Sequence, residues 1–237
     1  MKLRASLAVV AFYTVLIAGC ATPGTSNFGY TPPENSAKIR NEIVVNKPFD
    51  VVWDSFVHSL AKSFYVINNI DKQSRIINVS FSTDTPETYA DCGTSTRTSS
   101  RGDETHTYKY NVASTSNFKV ASRAGNHNQF PLTQFIVRRS SLDGRMNIYV
   151  APEGQNTRVS VNARYVLTVK VEGTYVAENL YGTPTARGAL PAKTATSTFN
   201  TNQPSTTDWG TPEEPGSVTC QARGRLESDI LQLTQKL

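Results

Sequence analysis

Residues 158–171 read Arg-Val-Ser-Val-Asn-Ala-Arg-Tyr-Val-Leu-Thr-Val-Lys-Val, and this stretch decides the fold. Val159, Val161, Ala163, Tyr165, Leu167, Val169 and Val171 alternate with Arg158, Ser160, Asn162, Arg164, Thr168 and Lys170; only Val166 breaks the pattern. Successive strand side chains point to opposite faces, so one face is buried and the other wet, as in an antiparallel sheet covered on one side. The run exceeds the usual ~3 to 10 residues of a strand, so it is expected to bend or bulge. Upstream, Pro152-Glu153-Gly154 is a turn signal, and Arg145 to Val150 is a partner strand with Met146, Ile148 and Val150 on one side. Leu142-Asp143-Gly144 reads as a second turn, back to a strand over Thr133 to Arg139.

Further toward the N-terminus, Glu42 to Val45 predicts a short strand. Pro48 suits a first helical position and Asp50 the positive end of a helix dipole. Phe49, Val52, Trp53, Phe56, Leu60 and Phe64 then recur at three- and four-residue steps, one face of an amphipathic helix with His58 opposite it. Phe64 to Ile67, a turn at Asp71 to Ser74 and Arg75 to Ser82 form a hairpin. Thr83 to Glu104 is polar and expected as a loop, whereas Tyr108, Tyr110 and Val112 mark another strand. Tyr181 to Glu214 is rich in Thr, Pro, Gly and Ala, with a strand expected over Thr196 to Thr201. In Cys220 to Leu237, the side chains Leu226, Ile230, Leu233 and Leu237 share a helical face. Gly224 either weakens that helix by roughly 1 kcal/mol, ends a preceding turn or lets backbone approach the sheet. The expected fold is α+β: a curved antiparallel sheet packed on an N-terminal and a C-terminal amphipathic helix.

The start of the chain has a different character. A positive Met1-Lys2-Leu3-Arg4, an apolar run from Ala5 to Ala18 and small residues before Cys20 form the three parts of a secretory signal. The run is shorter than the ~20 residues needed to cross a bilayer. Leu16-Ile17-Ala18-Gly19-Cys20 resembles the lipobox of bacterial lipoproteins. That resemblance implies removal of residues 1–19 and acylation of Cys20, with several chains including palmitate on the new N-terminus. Such an N-terminus binds a membrane stably, and the resemblance to enterobacterial lipoproteins, in which a residue other than Asp after the cysteine favours the outer membrane, implies that location for a chain with Ala21 there. Residues 20–39, dense in turn and breaker residues, are expected as a flexible tether; in it Phe28 and Tyr30 are available to dock on a partner or on the body. Residues 40–237 are expected as one periplasm-facing domain.

Cleavage takes Lys2 and Arg4 away, so the formal charge falls from +5 to +3. With scattered Lys and Arg, this points away from nucleic acid. Setting Cys20 aside leaves Cys92 and Cys220, an even pair in an oxidising compartment and therefore an expected disulfide. A lone reactive thiol needs a nearby activating base, and none is close in sequence. Motifs for chemistry are missing: no Cys-x-x-Cys, His-Glu-x-x-His, phosphate loop or Gly-x-Ser-x-Gly occurs. His58, His106 and His127 fall in three segments without metal-ligand spacing, and the adjacent carboxylates Asp103-Glu104 and Glu213-Glu214 lie in expected loops. No enzyme activity, metal or cofactor is expected.

Lys47-Pro48-Phe49-Asp50-Val51-Val52-Trp53, the hairpin Val66 to Phe81 and Cys220 to Glu227 together resemble a helix-grip fold. In an outer-membrane lipoprotein this is similar to the domains of the BamC family, accessory subunits of the outer-membrane protein assembly machine. The resemblance implies a non-enzymatic accessory role through protein-protein contacts in the cell envelope, and carries over no functional residue. The other reading is a periplasmic binding module with a lipid or other apolar ligand between sheet and helix. Phe49, Trp53, Phe56, Phe64, Tyr165 and Leu167 are large enough to fill that space.

Overall fold

The computed structural model describes residues 24–34, 38–127, 130–178, 183–210 and 216–235. In chain order these form β1 (Thr25–Thr31), β2 (Glu42–Val45), α1 (Phe49–Ala61), β3 (Val66–Asp71), β4 (Ile76–Thr83), β5 (Ala90–Asp91), β6 (Thr94–Arg101) and β7 (Glu104–Asn111). They continue as β8 (Ser116–His127), β9 (Phe130–Glu153), β10 (Asn156–Glu178), β11 (Pro184–Asn200), β12 (Ser205–Asp208), β13 (Ser217–Ala222) and α2 (Arg225–Gln235). Strand makes up 64% of the described residues, so the expected α+β fold holds in part: antiparallel sheet dominates, and two α-helices are present among the described residues.

The decisive stretch lies in β10, which pairs with β9 along nearly the full length of both, from Asn156↔Glu153 to Ala177↔Leu132. Every expected inward residue from Val159 to Val171 is buried. The two halves of this long hairpin have different neighbours. Near its turn, β10 pairs with β2 and β9 with β4, beyond which β3 adds an edge. In the far half, β10 pairs with β11 and β9 with β8. The helices pack on the turn-proximal half and on each other. There Val52, Trp53, Phe56 and Leu60 of α1 and Leu226 and Ile230 of α2 join Met146, Ile148, Val161 and Tyr165 in one core. The far half is covered instead by a second layer, β1-β6-β7, packed on β8.

Several expectations change. Asp143-Gly144 is no turn, because β9 runs straight through it. The glycine serves a close approach: a Cβ on Gly144 would lie 2.0 Å from Cε1 of the buried Phe81 ring, which packs over the bare backbone from the neighbouring strand. Gly144→Ala is therefore expected to lose about 1–3 kcal/mol from overpacking. The loss should shrink in a Phe81→Ala background, and urea unfolding of the four variants measures both; equal losses in the two backgrounds would contradict the contact.

The expected loop 83–104 is largely ordered as β5 and β6. Strand β6, Thr-Ser-Thr-Arg-Thr-Ser-Ser-Arg, buries Ser95, Arg97 and Ser99 in place of apolar residues, so hydropathy did not reveal it. Of these, Ser99 accepts from the Ala121 N–H of β8 at 2.6 Å. The tether is also corrected, since residues 25–31 are β1, held antiparallel to β6 over seven pairs. Tyr30 docks on the protein's own body, its hydroxyl accepting the Thr219 N–H at 2.9 Å and lying 3.1 Å from the Cys92 carbonyl oxygen. Phe64 belongs to neither helix nor strand and is 67% exposed in the connection after α1. Cys220 lies in β13, and α2 begins only at Arg225, after Gly224 at φ +76°, where a side chain would be strained.

Candidate functional site

The helices leave one face of the turn-proximal sheet open to solvent, and strand register sorts its side chains into rows. One row runs Val66, Ser80, Arg145, Arg164, Asn200 across five strands. The next sets Asn78 opposite Asn147 and Asn147 opposite Asn162. Within it the Asn78 amide donates to Asn147 Oδ1 at 2.5 Å, and Asn41 donates to Asn162 Oδ1 at 3.1 Å. A third places Ile76 beside Tyr149 and Tyr149 beside Ser160, with Tyr149 42% exposed.

The arginine row is the unusual one. Like charges directly opposite each other destabilise a sheet, yet Arg145 and Arg164 are register partners. Other cations of the same hairpin have acids: Arg158 pairs with Glu153 and Glu42, and both Arg139 and Lys170 pair with Glu172. Among the described residues, Arg145 and Arg164 form no ion pair. They separate two shallow clefts. One, of about 590 Å³, is walled by Val66, Phe81 and Asp143; the other, of about 480 Å³, by Asn147, Asn162, Asn200 and Gln203. Two guanidinium forks beside amide donors and acceptors match the geometry of carboxylate or phosphate groups.

These residues escaped the sequence reading, although a signal was present. Residues equidistant from a hairpin turn face each other, and 145 and 164 lie symmetrically about Gly154 and Gln155. The expected turn at Gly144 hid the pairing by placing Arg145 at a strand end.

Two buried charged groups were also missed. Arg138, fully buried, donates to the Val112 and Ser114 carbonyls and to Ser116 Oγ, with its guanidinium carbon 4.7 Å from the Tyr110 ring centre. Glu227, in the first turn of α2 where helix polarity favours an acid, is fully buried too. It accepts from the Tyr165 hydroxyl at 2.9 and 3.0 Å and from Thr201 Oγ1 at 2.5 Å. Burial, reinforced by the Glu227 charge, pushes the Tyr165 hydroxyl far above the ordinary tyrosine range, so it remains a donor. These groups fix α2 to the sheet and the Val112–Ser116 turn to β9, which makes them structural.

Of the expected site residues, Cys92 and Cys220 form the disulfide, with Cα atoms 4.1 Å apart. Cys20 and the expected signal segment, residues 1–19, lie outside the described residues, as do Glu213 and Glu214. His58 and His106 are exposed on α1 and β7, while the side chain of His127 is not described. Among the described residues, no cluster of three or more His, Cys, Asp or Glu is placed to hold a metal ion, and no helix is long and apolar enough to cross a membrane. Comparison of the chain with protein-family models, with curated proteins and with solved structures finds no match.

Proposed function

We propose that this protein is a non-enzymatic lipoprotein, anchored to the outer membrane through acylated Cys20 and facing the periplasm. In this reading it is an accessory subunit in envelope assembly that binds an acidic surface of an envelope protein through Arg145 and Arg164. The observation that carries the binding role is the arginine pair: the hairpin keeps two facing, exposed cations out of ion pairs, whereas Arg139, Arg158 and Lys170 on the same hairpin pair with acids. An acidic partner would relieve that repulsion. The lipobox-like Leu16 to Cys20 supports the anchor, and a disulfide fits an oxidising compartment. Two helices against a curved antiparallel sheet are compatible with the helix-grip, BamC-like reading. The apolar-ligand alternative draws no support from the packing, since Trp53, Phe56, Leu60, Tyr165, Leu226 and Ile230 fill the space between helices and sheet.

A photo-crosslinking residue at Asn147, exposed beside the pair, should capture a discrete envelope protein in native membranes. Arg145→Glu with Arg164→Glu should lower its yield at least tenfold, the effect of about 1.4 kcal/mol in binding. A yield unchanged by both reversals would sink the proposal.

A further inference from the structure

Ordering of β1 changes what the anchor can do. Only residues 21–24 separate Cys20 from Thr25, a reach of about 17 Å when fully extended. Thr25 pairs with Ser100, and Ser100 with Thr105, so the chain enters the body at the tip of the β6–β7 hairpin. That tip touches the far end of the long hairpin, where Arg101 donates to the Leu132 carbonyl at 2.6 Å. The turn at Gly154 is at the opposite end: Leu132 to Glu153 spans on the order of 70 Å of strand. Arg145 stands roughly 40 Å along the same line. Beside the entry point, Arg101, His106 and Lys119 line a cleft of about 280 Å³ that contains one acid, Glu104.

We infer that the protein stands on its membrane by the β6–β7 end, with the Arg101–His106–Lys119 cleft against the phosphate headgroups of the bilayer. Phosphate is the anion that surface supplies, and two exposed side chains, His106 and Lys119, are placed to meet it. The arginine face is then carried about 40 Å into the periplasm, where a protein partner rather than lipid reaches it. This orientation rests on the lipid-anchor reading of Cys20.

The test uses the full-length lipidated protein in nanodiscs containing about one-third anionic phospholipid and headgroup-attached nitroxide quenchers. One fluorophore is placed at Thr105→Cys and another at Gln155→Cys, both exposed positions. Quenching at 105 is expected to exceed that at 155 at least fivefold, and Lys119→Glu should cut the quenching at 105 by half or more. Equal quenching at both positions of a membrane-bound protein overturns the orientation. Unchanged quenching in Lys119→Glu overturns the headgroup contact. Failure of the anchor reading has a separate signature: Cys20→Ser would fractionate with membranes just as the parent does.

Discussion

Replacing Cys92 and Cys220 together by serine is expected to lower the free energy of unfolding by about 2–5 kcal/mol, with a fall in Tm of roughly 10 °C for a chain of this size. The bridge joins residues 128 apart in sequence, so its loss frees a long loop in the unfolded chain. Its native context adds to the effect. Strand β5 has only two residues, paired with Gln221 and Ala222 of β13, and cannot hold the crossing alone. The backbones of Cys92 and Thr219 also receive Tyr30, the residue that docks β1. Urea unfolding of the bridged and doubly substituted proteins provides the measurement, and coincident midpoints would refute the expectation. A secondary outcome follows from Tyr30: protease cleavage within residues 25–31 should accelerate in the serine variant, because β1 loses its docking site.

Glu227→Ala is expected to cost about 2–5 kcal/mol, from two buried hydroxyls left without their acceptor and the cavity left by the carboxyl group. The carboxyl group leaves a void and strands the hydroxyls of Tyr165 and Thr201, both buried. Tyr165 also stacks on Phe199 at 5.2 Å, so its ring holds position when the partner is lost and cannot carry the hydroxyl to solvent. A double-mutant cycle separates this network from simple loss of volume. Tyr165→Phe should cost about 1.5–3 kcal/mol in the parent, as for a hydrogen bond to a charged group, and little in Glu227→Ala. The coupling should reach 1 kcal/mol or more. Additivity within 0.5 kcal/mol would show that Glu227 acts only as packing volume.

Legibility followed the apolar period. Helix α1 was readable because Val52, Trp53, Phe56 and Leu60 repeat at helical spacing, and all four are buried. Strand β10 was readable because its alternation is nearly unbroken. Strand β6 was not, because serine and arginine occupy its inward positions, and the hydrogen bond made there by Ser99 comes from β8, a strand distant in sequence. Gly144 misled for a related reason. In sequence, Asp-Gly signals a turn, but whether glycine bends the chain or makes room for Phe81 depends on a ring from another strand.

The candidate site divides in the same way. Sequence by itself established a lipobox-like start, a lone cysteine pair beyond it and a sheet with one wet face, since these depend on local order and on period. Which wet-face residues stand opposite each other was decided by the tertiary structure alone. Arg145 and Arg164 look like any solvent-facing arginines until register sets them opposite each other, and their lack of an ion pair stands out only once Glu153, Glu42 and Glu172 are seen paired with other cations. The same holds for the expected tether. Composition makes residues 20–39 a loose tether, but pairing with β6 orders residues 25–31 as a strand. Strand register and edge pairing are long-range, and a period of two along one strand carries no information about which strand lies beside it.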